Sequence, residues 1–578
     1  MPADKYGSDV IVDMLKQYGI EYASLNPGAS YRGLHDSIVN YGDNTPQIIQ
    51  CTHEKIAVGV AHGYARVTGK PMVAIVHNLV GLLHGTMGVY YAYVDEAPVI
   101  VLGATGPVDA TRRRPFIDWI HTAQDQGDMV RDFTKWDDQP ATPAAVPDSF
   151  ARAYRVATTP PYGPVYLVYD SNLQEDPLVG SVPVLDPKRL MPPDPAALNA
   201  NTVETIASML VGAERPVVLA DMVGQNPAAV DLLIELSDLL ALPVVDGGRR
   251  FNFPSNHRFD VSDSKDIFRD ADLLFGVEVR DFERAVTTLN RTTRERTPVM
   301  PDGCKIIDLS YKDSGIKAWA QTFLKLWEVD VFATADPAIS LGQIIDAVRG
   351  KIGPAQQKAI DARATRVTQI HDNLREGWRE LAKDGWDDHP VSLARLSSEI
   401  WDGIKDEDWV MTGAVLDGWT RRLWDFDKPY RFPGAPLGTG TQVGLSIGVA
   451  LAHRGSGKLV VSIQPDGDLM FDAGSLWIAA YHKIPMLIVM YNNRAYYNDW
   501  EHQIAIAKDR GRNEEMAYLG MEFANPEPDF AKLAQSMGCF GEGPIDDPTK
   551  IGPAIERAIK HIKATGTPAL VDVVTQHR

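Results

Sequence analysis

The chain has 578 residues, roughly four times the length of a typical domain, so we expect several domains. Apolar residues make up 44% and charged residues 23%, a balance that excludes global disorder and can supply several buried cores. The formal net charge of −19 argues against a nucleic acid or an anionic membrane surface as partner. Three widely spaced cysteines, no visible signal peptide and no run of 18 apolar residues lead us to expect a cytoplasmic protein without a membrane span.

Short β-branched runs alternate with longer amphipathic stretches along the chain. In the first block, a helix is predicted over 9–18 and strands at 22–26, 72–77, 99–102 and 165–169. Predicted strands follow in the second block at 215–220, 242–246, 272–276 and 305–308, and in the third at 458–463, 486–491 and 569–574. This alternation predicts an α/β fold of three doubly wound parallel-sheet domains. We place them at 1–180, 200–345 and 375–578, with a proline-rich linker between the first two.

Two polar motifs follow predicted strands of the third block. Asp466 and Gly467 follow the strand at 458–463, and Asn493 follows the strand at 486–491. Parallel sheets bind ligands at the carboxyl ends of their strands, so these side chains are placed where a site is expected. A carboxylate and an amide oxygen, with a nearby backbone carbonyl, suit Mg²⁺ or Ca²⁺ and leave coordination positions for a diphosphate.

This segment resembles the thiamine diphosphate motif, in which Gly-Asp-Gly is followed about two dozen residues later by Asn-Asn. Pro465 replaces the first glycine, while the aspartate, the second glycine, the spacing and both asparagines are present. The resemblance implies that Asp466, Asn493 and the carbonyl of Ala495 bind the metal. It also implies cofactor contacts by Gly467, Asp468 and Asn493.

The first block carries the matching half of this resemblance. Glu54 is predicted to begin a helix, and the stretch Gly63-Tyr64-Ala65-Arg66 that follows resembles the same family. In that family a glutamate hydrogen-bonds the aminopyrimidine ring and favours its imino tautomer, which then removes the proton from the reactive thiazolium carbon. We therefore expect Glu54 to be both a catalytic and a cofactor-binding residue.

The resemblance extends over nearly the whole chain and implies a pyrimidine-binding, a middle and a diphosphate-binding domain. In this architecture the cofactor lies between two subunits, so a homodimer or homotetramer is expected. Some relatives bind FAD in the middle domain, but the loop at 276–284 is not a clean flavin signature, and we do not expect FAD. No nucleic-acid or membrane partner is expected.

Four further positions bear on the substrate side of the site. Leu437 resembles the bulky residue that bends the cofactor into its V shape, although ungapped counting points to Thr439 instead. His77 ends the predicted strand at 72–77, in a stretch that resembles the one after strand three of benzoylformate decarboxylase, where a histidine faces the substrate. Its imidazole could transfer protons near neutral pH. His121 lies near the glutamine that lines many sites of the family and is the third catalytic candidate; His84 falls where relatives often have asparagine.

The resemblance implies a thiamine diphosphate- and Mg²⁺-dependent enzyme of the acetolactate synthase, benzoylformate decarboxylase or benzaldehyde lyase kind. We expect a 2-oxo acid decarboxylase or C–C lyase/carboligase acting on small 2-oxo acids, aldehydes or hydroxyketones. Two alternatives stay open. One is a C–C hydrolase of a cyclic 1,2-dione on the same scaffold, and the other is a non-catalytic homologue that only binds the cofactor.

Overall fold

The computed structural model describes residues 5–290, 293–314, 316–318, 321–323, 325–438 and 440–577, with Lys265 described by its backbone alone. Three parallel sheets, each flanked by helices, follow one another along the chain. The predicted α/β fold class with three doubly wound parallel sheets is therefore confirmed. Every strand predicted from the sequence overlaps a strand of the structure.

The first sheet has six strands in the spatial order β2-β1-β3-β4-β6-β5. These are β1 (Tyr22–Leu25), β2 (Gln47–Gln50), β3 (Met72–Ile75), β4 (Val99–Thr105), β5 (Trp136–Asp138) and β6 (Val165–Asp170). The accompanying helices are α1 (Gly7–Gln17), α2 (Arg32–Asp36), α3 (Glu54–Thr68), α4 (Val80–Val94), α5 (Asp118–His121), α6 (Val146–Ala157) and α7 (Ser171–Glu175). All pairings in this sheet are parallel.

The second sheet has five parallel strands in the order β13-β12-β9-β7-β8, beside a small antiparallel pair, β10 with β11. The strands are β7 (Pro216–Ala220), β8 (Val244–Asp246), β9 (Leu273–Val277), β10 (Thr287–Leu289), β11 (Arg296–Pro298), β12 (Lys305–Leu309) and β13 (Val331–Ala333). The helices of this part are α8 (Ala200–Gly212), α9 (Pro227–Leu240), α10 (Phe282–Val286), α11 (Pro337–Arg349) and α12 (Pro354–Leu381).

The third sheet has five parallel strands in the order β14-β15-β16-β18-β17. The strands are β14 (Trp409–Gly413), β15 (Leu459–Pro465), β16 (Leu487–Asn492), β17 (Phe540–Ile545) and β18 (Ala569–Val574). The helices are α13 (Leu393–Ile404), α14 (Trp419–Leu423), α15 (Gln442–Ala452), α16 (Asp466–Phe471), α17 (Gly474–Tyr481), α18 (Tyr497–Asp509), α19 (Phe530–Ser536) and α20 (Ile551–Thr565). Within the described part of the chain, no helix has both the length and the apolar character needed to cross a bilayer.

Helix α3 of the first block packs directly against α15 of the third block. A Cβ on Gly63 would lie 2.0 Å from the carbonyl oxygen of Leu445, and a Cβ on Gly448 would lie 2.1 Å from the carbonyl oxygen of Val60. Only glycine lets the two backbones approach so closely. This contact fixes the helix that begins at Glu54 against the third block.

The other end of α3 reaches the second block through a buried ionic cluster. Asp95 accepts hydrogen bonds from Arg66 Nε at 2.6 Å and from His62 Nε2 at 2.8 Å. Arg250 of the second block donates to the backbone oxygen of Asp95 at 3.2 Å. Burial alone would raise the pKa of the Asp95 carboxyl, but Arg66 and Arg250 hold it well below its usual value. The cluster therefore keeps a charged aspartate between the two blocks.

Candidate active site

A cavity of about 500 Å³ opens at the carboxyl ends of β15 and β16. Its described lining residues all lie between positions 393 and 576, and they include Leu437, Asp466, Gly467, Asp468, Asn493 and Ala495. The sequence places each of these six residues in the site, and the structure brings them together. Neighbouring parallel strands end at the same edge of the sheet, which is why motifs 27 residues apart meet here.

Asp466 and Asn493 converge on a single backbone group. Asp466 Oδ2 and Asn493 Oδ1 each accept the N–H of Ala495 at 3.1 Å, and Asp466 Oδ1 accepts the N–H of Gly467 at 2.9 Å. One N–H serves two oxygens, so both oxygens retain lone pairs. Asp466 is also the first residue of α16.

Asp468 and the segment before α15 close another side of the cavity. Asp468 Oδ1 accepts the N–H of Gly440 at 2.5 Å, and its Oδ2 accepts from the Gln442 side chain. Leu437 lies on this segment, half-buried, and lines the same cavity. Thr439, the other candidate for the residue that bends the cofactor, lies outside the described residues.

The charge of the cavity fits a bound cation. Asp466 and Asp468 are 1% and 4% exposed, and burial raises the pKa of each carboxyl to about 6. Among the described residues, neither carboxylate is within ion-pair distance of a lysine, arginine or histidine. Buried carboxylates are normally paired or coordinate a metal. These oxygens therefore fit Mg²⁺, with a diphosphate completing its coordination.

Glu54 is the first residue of α3, as the sequence predicts, and the residue is 4% exposed. Its carboxylate lies against Gly81, where a Cβ would come within 3.0 Å of Glu54 Oε1. The same Cβ would lie 2.7 Å from the Cβ of His77. Glu54 and His77 are thus neighbours across the start of α4, and a residue larger than glycine at position 81 would push them apart.

His77 lies two residues beyond β3, not at the end of the strand as the sequence suggested. Its Nδ1 is 3.3 Å from the hydroxyl of Ser30, which accepts the N–H of Asn78 at 3.0 Å. The His121 ring meets the His77 ring edge to face, with centroids 4.9 Å apart. Burial, followed by the neighbouring His121, lowers the pKa of His77. The structure therefore brings the three candidate catalytic residues of the first block into one cluster.

Three further side chains lie beside this cluster: His84, which the sequence analysis singles out, and His53 and Lys55, which it does not. His84 Nδ1 lies 3.4 Å from Glu54 Oε2, and the His53 ring stacks on the His84 ring. Lys55 Nζ pairs with Asp472 Oδ1 of the third block at 2.8 Å. A histidine before a helix-starting glutamate gives no distinctive signal in sequence, because these contacts depend on how α3 and α4 pack.

Family models match both ends of the chain. The model described as thiamine pyrophosphate enzyme, N-terminal TPP binding domain, matches residues 5–130, and the corresponding C-terminal TPP binding domain matches residues 415–573. The chain belongs to the thiamine pyrophosphate enzyme family. In this family member, the N-terminal match contains Glu54 and His77, and the C-terminal match contains Asp466 and Asn493.

Relatives of this thiamine pyrophosphate enzyme share its whole length at low identity. It is 24% identical to the mitochondrial acetolactate synthase catalytic subunit of Aspergillus candidus, over 99% of this chain and 81% of that protein. It is 22% identical to benzoylformate decarboxylase of Pseudomonas aeruginosa, over 98% of both. The crystal structure of benzoylformate decarboxylase from Polynucleobacter necessarius superimposes with a TM-score of 0.76 at 16% identity, over 99% of each chain, and so shares the fold. The chain is thus a thiamine diphosphate-dependent enzyme of the acetolactate synthase and benzoylformate decarboxylase type.

Proposed function

We propose that this enzyme uses thiamine diphosphate and Mg²⁺ to break or form the carbon–carbon bond beside the carbonyl of a 2-oxo acid. It would act as a decarboxylase or C–C lyase/carboligase on small 2-oxo acids, aldehydes or hydroxyketones in the cytoplasm. The observation that carries the proposal is the pairing of two buried sites in one chain. One is Glu54 at the start of α3, and the other is Asp466 with Asn493 at the ends of β15 and β16. The names of the acetolactate synthase and benzoylformate decarboxylase relatives support the same reaction class.

The third-block residues would hold the metal and the diphosphate. Asp466 Oδ1 or Oδ2 and Asn493 Oδ1 would ligate Mg²⁺, with the carbonyl of Ala495 as third protein ligand. Ca²⁺ prefers the same oxygen ligands and could replace it. Leu437, which lines the same cavity, would support the cofactor. We assign the binding of the metal and the diphosphate to a diphosphate-binding domain at 375–578. A pyrimidine-binding domain at 1–180 and a middle domain at 200–345 precede it.

The first-block residues would bind the cofactor ring and transfer protons. Thiamine diphosphate, when bound, supplies a carbon nucleophile and an electron sink. The Glu54 carboxylate would accept a hydrogen bond from the cofactor ring, and its burial strengthens that interaction. The Ser30 hydroxyl accepts the Asn78 N–H, and its second lone pair can accept the Nδ1–H of His77. That arrangement would leave Nε2 of the neutral ring without a proton, so that Nε2 can take a proton from the substrate and later return it.

His121 would assist on the same side of the substrate. Its Nδ1 is buried and makes no hydrogen bond to the described residues, and its ring touches that of His77. A buried polar atom without a partner is costly, so a substrate oxygen at this point would be favoured. The neutral His77 ring, with its lowered pKa, is suited to act as a base near neutral pH.

A second copy of the chain would complete the active site. The described lining of the third-block cavity includes neither Glu54 nor His77. Large apolar side chains beside both halves are exposed in the single chain, namely Leu83 and Met87 on α4 and Met470 and Phe471 on α16. Such an exposed patch is typical of a subunit interface. We therefore propose a homodimer or homotetramer in which Glu54 of one subunit serves the cavity of another.

Mixed oligomers test this arrangement. Glu54→Gln and Asp466→Ala should each be inactive alone, but a hybrid dimer would contain one site with both native residues. Co-expression of the two variants with different affinity tags should therefore recover activity in the doubly purified hybrid, at about half the specific activity of the wild type. A hybrid as inactive as its parents, at the same cofactor load, would mean that each site is built within one chain.

The reaction itself is tested on metal-free, cofactor-free protein. Release of CO₂ from a panel of aliphatic and aromatic 2-oxo acids, and formation of hydroxyketones from added aldehydes, should return only when thiamine diphosphate and Mg²⁺ are both supplied. Full activity after chelation and gel filtration would refute the proposal. Cofactor binding by circular dichroism without turnover would favour the non-catalytic alternative. A ring-opened acid from a cyclic 1,2-dione would favour the hydrolase.

A further inference from the structure

His53, Glu54 and His84 form a compact cluster that the proposed reaction does not fully use. One possible ligand atom from each of the three side chains lies within 4.8 Å of those of the other two. Glu54 Oε2 is 3.4 Å from His84 Nδ1, and the rings of His53 and His84 stack with centroids 4.9 Å apart and planes 23° apart. Two imidazoles and one carboxylate are a common ligand set for borderline transition metals and a poor one for Mg²⁺.

Each of the three side chains is placed to act as a ligand. His53 precedes α3, and its Nδ1 accepts the N–H of Lys55 at 3.1 Å, which fixes the ring and leaves Nε2 to coordinate. Glu54 is buried and held by the start of the helix. The His84 side chain is 51% exposed in the single chain, so it can rotate there to shorten the distances that a shared ion requires.

The lysine that follows Glu54 in sequence does not oppose a cation at this cluster. Lys55 follows Glu54 in sequence, but its ammonium group pairs with Asp472 of the third block at 2.8 Å. That carboxylate neutralises the lysine charge. The cluster itself carries the negative charge of Glu54, and a water molecule can supply the fourth ligand of a tetrahedral ion.

We propose that His53, Glu54 and His84 bind a divalent ion of the Zn²⁺ class in the cofactor-free protein, and that this ion competes with thiamine diphosphate for the Glu54 carboxylate. Metal binding stands on the geometry of the cluster alone. The competition rests on the proposed function, because it requires Glu54 to face the cofactor. Zinc would then be an inhibitor that acts before the cofactor binds and is excluded after it.

Co²⁺ is the probe for the metal site, since its visible absorption distinguishes low-coordinate nitrogen ligation from an octahedral oxygen site. The measurement uses the full-length Asp466→Ala protein, so that the third-block oxygen site does not contribute. Absorption bands typical of nitrogen ligation should appear on titration, and Zn²⁺ should displace them. Adding His84→Ala should weaken Co²⁺ binding by at least about tenfold. His84→Asn, which keeps a polar side chain on the exposed face of α4, should weaken it similarly.

His502→Ala is the matched control, because His502 is an exposed histidine on α18, outside the cluster. It should leave the bands and the affinity unchanged. Equal Co²⁺ affinity in the His84 and His502 variants, or bands of an octahedral oxygen site alone, would overturn the proposed metal site.

The competition is tested on the wild-type protein. Protein loaded with thiamine diphosphate and Mg²⁺ should show no nitrogen-ligated Co²⁺ bands, and cofactor-free protein should show them. Bands of equal intensity in both would refute the competition while leaving the metal site in place. Failure of the cofactor to bind at all, seen by circular dichroism, would instead refute the proposed function.

Discussion

Asp466 and Asn493 share one hydrogen-bond donor, since Asp466 Oδ2 and Asn493 Oδ1 both lie 3.1 Å from the backbone nitrogen of Ala495. This shared contact holds the two side chains together without a metal. It also sets the oxygens in the lining of a cavity large enough for a diphosphate. The site is therefore largely preformed, and ligand binding need not reorganise it.

Asp466→Ala should abolish this preformed site. We expect Mg²⁺ and thiamine diphosphate to bind about 100-fold more weakly or worse, because a metal ligand is lost and the diphosphate charge is left uncompensated. Isothermal titration calorimetry on metal-free protein measures both affinities. Asp499→Ala removes an exposed carboxylate from the rim of the same cavity and should have little effect. Equal losses in the two variants would contradict the assignment.

Glu54→Gln should separate binding from proton transfer. Glutamine keeps the size of the side chain but not its charge, so cofactor affinity should change little. Hydrogen–deuterium exchange at the reactive carbon of thiamine diphosphate, followed by NMR, should slow by about 10²–10⁴-fold. Glu204→Gln, on the exposed face of α8, is the control and should exchange at the wild-type rate. Wild-type exchange in Glu54→Gln would mean that Glu54 does not face the cofactor.

His77→Ala should affect a later step. Cofactor binding and hydrogen–deuterium exchange should be retained, while kcat falls by about 10²–10⁴-fold. Because the pKa of His77 is lowered, its neutral form prevails at pH 7, and wild-type turnover should decline as the pH falls through that pKa. This acid limb of the kcat profile should disappear in His77→Ala and persist in His502→Ala. An unchanged profile in both would place the essential base elsewhere.

Gly63→Ala should force α3 and α15 apart. The new Cβ would lie 2.0 Å from the Leu445 carbonyl oxygen, which cannot move without its helix. We expect a loss of about 1–3 kcal/mol or more in the free energy of unfolding, measured with urea. Gly377→Ala, inside α12 with open space around the new Cβ, should instead stabilise the protein by about 0.5–1 kcal/mol. Destabilisation by both substitutions would show that the helix contact is not the cause.

Lowering the pH should raise the contribution of Asp466 to the unfolding free energy of the metal-free protein. The pKa of Asp466 is about 6 in the folded chain, above its ordinary value of 3.8, because of burial. The folded state therefore binds this proton more tightly than the unfolded state, and the unfolding free energy contributed by Asp466 rises as the pH falls from about 6 to 4. Urea unfolding at pH 4.5 and 7 should show a larger gain at acid pH for the wild type than for Asp466→Asn. Identical pH dependence in the two proteins would contradict the raised pKa.

Central strands were the easiest elements to predict from the sequence. The strand at 569–574 was predicted with its observed bounds, because it is an apolar run interrupted only by Asp572 and every one of its residues is buried. Edge strands such as β2 and β17 were missed. β2 is a short run with glutamine at both ends, and β17 contains two glycines and a proline, so neither shows a clear apolar pattern.

The contacts of the candidate active site likewise divide into those that the sequence pattern predicts and those that it does not. Asp466 and Asn493 were expected to meet, because each follows a predicted parallel strand and such strands end at one edge. The contacts of Glu54 with His84, and of Lys55 with Asp472, had no counterpart in the sequence pattern. They join segments that are distant along the chain, and only the packing of α3 against its neighbours decides them.

Helix α3 spans 15 residues and touches all three blocks. Its first turn contacts the third block through Lys55, its middle lies on α15, and its last turn enters the cluster that holds Arg250 of the second block. None of the blocks can unfold without exposing part of this helix. The chain should therefore melt in a single cooperative transition, with equal calorimetric and van't Hoff enthalpies, although a protein of this size and architecture would ordinarily lose its domains one at a time.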